Sequence, residues 1–257
     1  MSEISNSCYL LYGVKNFPSD YSLDTSLEYI KYNELALYYQ KVSLNEFSEE
    51  NLKKNLNNLE WLEKHIVEYE KEMEKLNSET TVIPFKFGTV YTSIDNMADF
   101  FSSYYDTFVE NICYLQDKLE WGIKIFLSRS QFRRWLNSKI QDDSSGKATG
   151  AAFFKRKKKE LELMEQEDVS LNRIVSEICR EIKKNVIELK EVDFLEDHGN
   201  NKSPFKPICG LGVIMEEFKT MILRSLVDKL VKRHKEKGII LRLSGPWPPY
   251  NFIKIES

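Results

Sequence analysis

The sequence has few of the residues on which catalytic and metal sites usually depend. Its 257 residues include three histidines and four cysteines, all far apart along the chain. It contains no Cys-x-x-Cys pair, no phosphate-binding glycine loop, no His-Glu-x-x-His pair and no Gly-x-Ser-x-Gly turn. We therefore expect no catalytic residue, no metal site and no cofactor. His65 and His234 lie in charged segments, where solvated helix faces are expected, and the cysteines are expected to be buried free thiols.

The chain also lacks a charge excess of one sign and a long apolar run. Its 37 basic and 40 acidic side chains give a formal net charge of −3, whereas a general nucleic-acid binder carries a large basic excess. The one basic cluster, Lys155–Lys159, is followed at once by acidic residues, as on a solvated helix. No apolar stretch approaches the roughly 20 residues of a membrane span, and Met1–Ser5 does not resemble a secretory signal. We expect a cytoplasmic protein with no nucleic-acid partner and no membrane span.

Apolar residues make up 42% of the chain, which is enough for a packed core. In the first half, apolar runs predict three strands, at Cys8–Val14, Leu27–Tyr32 and Leu35–Ser43. Apolar residues then recur at steps of three or four from residue 52 to residue 76. This spacing predicts one long helix with Ser48 as its N-cap, packed on those strands.

The next segments continue the mixed pattern of strand and helix. Val82–Gly88 is predicted to be a strand, and Pro84 confines it to a sheet edge or a bulge because proline cannot donate to a ladder. A second helix is predicted from residue 95 to about residue 118.

The pattern changes at Trp121. From there the predicted order is strand, helix, strand, strand, helix, strand, which is the ferredoxin-like order. The predicted strands are Trp121–Leu127, Val186–Val192, Leu211–Met215 and Ile239–Leu243. RNA-recognition domains share this order but need aromatic residues on the central strands, and Leu211–Met215 has none. We expect an α+β protein with an N-terminal α+β domain at 1–119 and a modified ferredoxin-like domain at 120–257.

A helical arm is predicted inside the second domain, at about residues 130–184. Its last helix carries apolar residues at alternating steps of four and three, the a/d spacing of a coiled coil. The members of this seam are Leu161, Met164, Asp168, Leu171, Val175, Ile178 and Ile182. Asp168 breaks the seam and is expected at its edge or beside a basic partner. The helix around Phe132 and Trp135 is a candidate partner for the seam.

The segment Gly245–Phe252 has an unusual composition, Gly-Pro-Trp-Pro-Pro-Tyr-Asn-Phe. Its three prolines fix φ and remove three backbone donors, so it cannot continue as an ordinary ladder strand. Two interpretations stay open. The segment is either a rigid plug that closes the core of the second domain or a preformed docking surface.

This ending resembles the signature of gas vesicle proteins of the F/L (GvpF/GvpL) family. Five further segments are similar to that family in the same order: residues 9–14, 59–63, 82–91, 120–124 and 150–158. Many members carry a histidine about eight residues after the helix tryptophan, where this chain has Tyr69. The signature positions with a possible role in interaction are Trp61, Pro84, Phe85, Phe87, Gly88, Trp121, Gly245, Pro246, Trp247, Pro248, Pro249, Tyr250 and Phe252.

The resemblance implies a non-enzymatic role in building gas vesicles, the gas-filled protein shells that give cells buoyancy. It implies binding to the small hydrophobic shell protein (GvpA type) and to other accessory proteins, which limits aggregation of the shell protein during nucleation. It also implies a place in the cytoplasm and in the vesicle, where some members are minor components of the gas-facing surface, and no small-molecule substrate. The alternative from another class is a ligand-binding or catalytic protein built on a ferredoxin-like domain.

An apolar, aggregation-prone partner calls for an apolar binding surface. The strands Leu35–Val42 and Val82–Phe87 are two candidates, because an exposed sheet edge can add a strand from a partner. The competing interpretation is that both strands simply belong to the core.

Overall fold

The computed structural model describes residues 6–17, 25–77, 81–139, 150–193 and 203–254, with the side chains of residues 139 and 150–164 left outside that description. The first sheet has the strand order β2-β3-β1-β4, and β5 also pairs with β1. Its strands are β1 (Ser7–Asn16), β2 (Glu28–Tyr32), β3 (Leu35–Ser43), β4 (Val82–Pro84) and β5 (Val90–Tyr91). The three long strands match the predicted apolar runs.

Strand β1 is buried on both faces and separates two apolar layers. Leu10 and Tyr12 face one layer, and Leu11 and Val14 face the other. Side chains alternate along a regular strand, so residues 11 and 14 can share a face only if one extra residue is inserted. The pairing of β1 with β3 shifts register between Leu11 and Gly13, and this bulge explains the change.

Two helices take the place of the single long helix predicted after Ser48, and a short helix precedes them. In chain order the three are α1 (Leu44–Phe47), α2 (Glu49–Asn55) and α3 (Leu59–Asn77). Ser48 is an N-cap as predicted, since its hydroxyl accepts from the backbone N–H of Asn51 at 3.4 Å. The break follows α2 because Asn58 starts a new helix, and its side-chain oxygen accepts from the backbone N–H groups of Glu60 and Trp61.

The helix predicted from residue 95 is also divided. It consists of α4 (Ile94–Ser103) and α5 (Tyr105–Leu115), separated at Tyr104, whose φ of −103° and ψ of 13° are not helical. Tyr69 and Met73 of α3 fill the apolar layer on one face of the first sheet. Residues of α4 and α5 fill the layer on the other face.

The second sheet has the strand order β7-β8-β6-β9. Its strands are β6 (Lys118–Leu127), β7 (Glu188–Glu191), β8 (Lys206–Glu216) and β9 (Ile239–Trp247). The helices that accompany it are α6 (Arg129–Lys139), α7 (Gly150–Lys183) and α8 (Thr220–His234). The first and last strands of the predicted ferredoxin-like order, β6 and β9, are neighbours in one sheet, and the chain is α+β as expected.

The chain divides into two compact units. One takes in Met1–Glu120 and Pro246–Ser257, and the other takes in Trp121–Gly245. The domain ranges predicted from the sequence placed residues 246–257 in the second domain, whereas here they group with the first. Asn251 and Lys254 of this segment make hydrogen bonds to Glu120 and Asn111 of the first unit.

The buried face of α7 differs from the predicted seam. Leu171, Ile178 and Ile182 are buried as predicted, and Ile174, which was not in the seam, is buried too. Asp168 is exposed, and its carboxylate lies 3.9 Å from the guanidinium of Arg129. Of the remaining members of the seam, Val175 is half-buried, and the side chains of Leu161 and Met164 lie outside the description.

Glu167 takes the buried position next to Asp168. Its carboxylate accepts from Arg129 of α6 at 3.1 Å and from Arg133 at 2.6 Å. Arg129 is therefore the predicted basic partner of Asp168, but its guanidinium lies closer to the carboxylate of Glu167, at 3.1 Å, than to that of Asp168, at 3.9 Å. A helix turns 100° per residue, so this one-position shift moves the carboxylate into the interface between α6 and α7.

Other predictions about single residues are corrected. His234 is buried, not solvated, and burial together with the charges of Lys237 and Arg233 lowers its pKa. Cys8 and Cys209 are buried thiols, whereas Cys113 is exposed and Cys179 half-buried. Within the described part of the chain, no helix is long and apolar enough to cross a bilayer.

Candidate functional site

The C-terminal signature segment, Gly245–Phe252, starts on β9 and continues into the first unit. Gly245 has a φ of 120°, in the region that favours glycine. The strand ends at Trp247, whose side chain is 43% exposed. The backbone N–H of Phe252 then donates to the carbonyl of Pro249 at 3.2 Å, which turns the chain. The buried side chains of the segment are Pro248, Pro249 and Phe252, Tyr250 is half-buried, and Pro246 is exposed.

Two buried polar side chains of the first unit hold this segment. The carboxylate of Glu120 accepts from the backbone N–H of Asn251 at 3.0 Å and from the side-chain amide of the same residue. The side-chain oxygen of Asn111 accepts from the backbone N–H of Lys254 at 2.7 Å, and its amide donates to the Lys254 carbonyl at 3.1 Å. Hydrogen bonds of these kinds contribute about 0.5–3 kcal/mol each. The segment is therefore fixed to the first unit at two points.

This geometry corrects one interpretation of the signature. The segment packs as a plug, but in the first unit and not in the core of the second, because its partners Glu120 and Asn111 belong to the first unit. Sequence reasoning missed Asn111, Glu120 and Asn251 as partners. A signal was present for Glu120, which stands beside Trp121 in a segment that resembles the family.

Trp61 lies in an aromatic cluster on the first unit. Its ring stacks on His65 of the same helix, with centroids 4.0 Å apart and planes 23° from parallel. Phe47 and Phe87 approach the indole at 5.4 and 6.2 Å. The indole N–H donates to the carboxylate of Glu46 at 3.4 Å. The structure thus brings together Trp61 and Phe87 with three residues that the signature did not include.

Tyr69, the departure from the family pattern, joins two strands to α3. Its hydroxyl lies 2.9 Å from the carbonyl oxygens of both Leu11 and Phe85 and donates its proton there. Burial raises the pKa of Tyr69, so the hydroxyl stays protonated. Phe85 itself is half-buried beside the apolar layer that α4 and α5 fill. These contacts indicate a structural role for Tyr69 and for the carbonyl of Phe85.

Pro84 and Gly88 occupy the tight path between β4 and β5. Pro84 ends β4 opposite Gly13, and this strand is an edge as predicted. A Cβ at Gly13 would stand 2.6 Å from a methyl group of Val82, so only glycine allows the strands to approach. Gly88 has a φ of 89°, a value that side chains disfavour. The close approach at Gly13 and the positive φ at Gly88 therefore explain why these two residues are glycine.

Trp121 is a buried signature residue of the second unit. Its side chain is buried in the second unit, and the guanidinium of Arg224 lies over its ring, 4.7 Å from the centroid. The indole N–H has no hydrogen-bond partner among the described residues. The position therefore contributes apolar packing and a cation–π contact to the core of that unit.

The two strands suggested as partner-binding edges are core strands. β3 lies between β2 and β1, and its apolar residues Leu35–Tyr39 are paired on both sides, whereas Gln40 and Lys41 beyond them are exposed polar residues. β4 is at the end of the strand order, but the side chains of its three residues are all buried. Neither strand offers the exposed apolar edge that the hypothesis required, and the competing interpretation of these strands as core is the one that the structure supports.

An exposed apolar surface exists on the second unit instead. Phe218, in the 3-10 turn Glu217–Lys219 that precedes α8, is 79% exposed, and Met221 and Ile222, in the first turn of α8, are 75% and 52% exposed. We call these three residues the α8 patch. Beside it lies a groove of about 380 Å³, lined by Asn185, Met221, Ile222, Ser225, Leu226 and Lys229.

Sequence reasoning placed a helix here but did not separate its two faces. The opposite face of α8 carries Leu223, Val227 and Leu230, which are buried. Apolar residues therefore occupy both faces at the start of this helix. That excess was the available signal, because a helix that packs on one side needs only one apolar stripe.

Comparisons with known proteins assign the chain to a family. The family described as "Gas vesicle synthesis protein GvpL/GvpF" matches residues 11–254. A gas vesicle protein L from Streptomyces sp. strain CB03234 is 21% identical over 227 residues, which are 88% of this chain and 82% of that protein. A gas vesicle protein L from Haloferax mediterranei is 21% identical over 181 residues, or 67% of this chain and 55% of the relative.

Two crystal structures share the fold. The gas vesicle protein GvpF from Anabaena sp. PCC7120 has a TM-score of 0.67 and 16% identity, with 98% of each chain covered. GvpF from Microcystis aeruginosa has a TM-score of 0.63 and 16% identity, with 96% of this chain and 99% of that one covered. At this identity the likeness shows the fold alone, and the family match over residues 11–254 carries the assignment. The resemblance found in the sequence is thereby confirmed, and the chain belongs to the GvpL/GvpF family of gas vesicle proteins.

Proposed function

We propose that this protein acts in gas vesicle assembly by binding the small hydrophobic shell protein, with other gas vesicle accessory proteins as further partners. By covering apolar surface of the shell protein before it is incorporated, it limits aggregation during nucleation. The family supports a gas vesicle role. We further propose that the protein works in the cytoplasm at the growing vesicle and, as a minor component, on the gas-facing surface.

The α8 patch is the observation that carries this proposal. Monomeric proteins expose few contiguous apolar patches, and those they have often mark interaction sites. Phe218 and Met221 are each at least 75% exposed and lie three residues apart in the chain, on either side of the first residue of α8. An aromatic ring and a flexible thioether on the same stretch of chain can adapt to an apolar partner of varying shape. A shell protein that must be bound and then released calls for such a surface.

The lining of the neighbouring groove favours this binding role over catalysis. It is formed by apolar side chains, Asn185, Ser225 and the ammonium of Lys229. A catalytic centre for acid–base or nucleophilic chemistry needs converging titratable groups, and Lys229 is the one titratable group among these residues. The second unit therefore offers a surface suited to a protein partner.

The test is a binding measurement between the purified protein and its shell protein. Changing both Phe218 and Met221 to serine removes two exposed apolar side chains, each worth about 1 kcal/mol or more in a contact. We expect affinity to fall by at least about tenfold. The matched control is Leu59→Ser, because Leu59 is an equally exposed apolar residue on the first unit, at 78%. Unchanged affinity in the folded double variant would remove the α8 patch from the proposal.

A further inference from the structure

A cavity of about 160 Å³ opens on the first unit, away from the α8 patch in the chain. Strands β1 and β3 form one side of it, and helices α1 and α3 form the other. Its lining consists of Leu10, Tyr12, Gln40, Val42, Ser43, Glu46, Phe47, His65, Glu68 and Phe87. The volume is below the roughly 300–1,000 Å³ of pockets for whole cofactors or drug-sized ligands. It suits a group the size of one side chain.

The inner wall is aromatic and rigid. Phe47 and Phe87 pack edge to face, with centroids 6.4 Å apart, and Phe47 also meets His65 edge-on at 5.7 Å. Tyr12 stacks on Tyr69 at 4.3 Å, and its hydroxyl donates to the side-chain oxygen of Gln40 at 3.0 Å. These rings supply an apolar wall, and a ring attracts a cation that approaches its face.

The charged groups at the cavity are hydrogen-bond acceptors. Glu46 and Glu68 are exposed carboxylates, so they lie at the rim. His65 Nδ1 lies 2.8 Å from the carbonyl oxygen of Trp61. Because a carbonyl can only accept, Nδ1 carries the proton of this hydrogen bond.

No positive side chain balances these groups within the cavity. The ten lining residues include neither lysine nor arginine. A second observation points the same way: the pKa of Tyr12 is raised by burial, and further by the negative charges of Glu72 and Glu68. The potential in the cavity is therefore negative, and an anionic ligand is disfavoured there.

We propose that this cavity binds a primary ammonium group carried on an alkyl chain. The alkyl chain lies against Phe47, Phe87 and Tyr12, and the ammonium donates to the carboxylates of Glu46 and Glu68 at the rim. The described residues hold no cluster of three or more metal-ligating side chains, so a bare metal ion does not fit equally well. Lysine side chains of a protein partner and free alkylamines share this chemistry.

The test is a titration followed by NMR of the ¹⁵N-labelled protein with Nα-acetyl-lysine methylamide. We expect saturable shifts of the amides in residues 40–47 and 65–68, with a Kd of about 1 mM, since two rim carboxylates and a cation–π wall give weak binding. The uncharged isostere, Nα-acetyl-norleucine methylamide, should bind at least about fivefold more weakly. Binding should also weaken as salt is raised.

Matched variants separate the carboxylates from the fold. Glu46→Gln and Glu68→Gln keep the shape and remove one charge each, and each should weaken binding about two- to fivefold. Glu63→Gln on the same helix as Glu68 is the control and should leave binding unchanged, because Glu63 is exposed and does not line the cavity. Equal binding of the norleucine and lysine derivatives, or unchanged binding in a folded variant that combines Glu46→Gln and Glu68→Gln, would overturn the proposal.

The source of the ammonium is distinguished in the same titration. Tighter binding of the blocked lysine than of n-pentylammonium supports a lysine of a protein partner, and the reverse order supports a free amine. The proposal does not depend on the shell-protein contact, since the α8 patch belongs to the other unit. The Phe218→Ser, Met221→Ser protein should bind the lysine derivative normally whatever its affinity for the shell protein.

Discussion

The hydrogen bonds between Asn111 and Lys254 give a sharp test of how the C-terminal signature is held. The change Asn111→Ala removes the acceptor of the Lys254 N–H and the donor to its carbonyl, at 2.7 and 3.1 Å. Each such bond contributes about 1 kcal/mol net. Lys254 is exposed, so water can replace the lost partners and no further desolvation cost is expected. We therefore expect local opening of the segment to become easier by about 2 kcal/mol.

Native-state hydrogen exchange measures this opening directly. A loss of about 2 kcal/mol corresponds to exchange of the Lys254 amide that is roughly 30-fold faster. The control is Asn57→Ala, because Asn57 is an exposed asparagine whose amide bonds only to the backbone of its own helical region. That variant should leave the Lys254 rate within about twofold. An unchanged rate in a folded Asn111→Ala protein would refute the idea that these two bonds hold the segment.

Three further changes test the packing of each unit. Gly13→Ala should lower the free energy of unfolding by about 1–3 kcal/mol, measured with urea, because its Cβ would meet Val82 at 2.6 Å. Glu167→Ala should destabilise the second unit by about 1–2 kcal/mol, because it removes the buried carboxylate that pairs with two half-exposed arginines. The control Asp168→Ala changes an exposed neighbour and should alter thermal stability little. The pKa of His234 is lowered in the folded state, so the unfolded chain takes up a proton first as pH falls below about 6.5. The free energy of unfolding should therefore drop from pH 7.5 to pH 5.5. A stable His234→Gln variant should show a smaller drop in its urea midpoint over the same range.

The parts of the fold that local pattern determines could be predicted. Apolar runs located β1 and β3, and the succession of strands and helices after Trp121 indicated the order of the second sheet. The break between α2 and α3 could not be read from the apolar stripe. That stripe continues through both helices, and only the capping by Asn58 separates them. Capping depends on a single side chain, which a periodicity argument does not weigh.

The candidate sites depended on contacts far apart in the sequence. Glu120 meets Asn251 and Asn111 meets Lys254 across more than 130 residues, so no spacing rule could pair them. Asp168 is exposed beside Arg129, as predicted, but the seam gave no indication that Glu167 would be buried. The a/d pattern assumes 3.5 residues per turn, whereas the buried face of α7 follows the partner helix α6 and takes the residue that faces two arginines.

The first unit is made of two separate stretches of chain, with the second unit inserted between them. Synthesis proceeds from the N-terminus, so residues 1–120 leave the ribosome long before the segment that Glu120 and Asn111 bind. Until then the Glu120 carboxylate and the Asn111 amide have only water as a substitute for their partners in this segment. The first unit therefore reaches its final stability only after the whole second unit has been made. A chain cut short anywhere in residues 121–245 therefore leaves both units incomplete. Only a chain that extends through Lys254 can therefore complete the hydrogen bonds of the unit that is synthesised first.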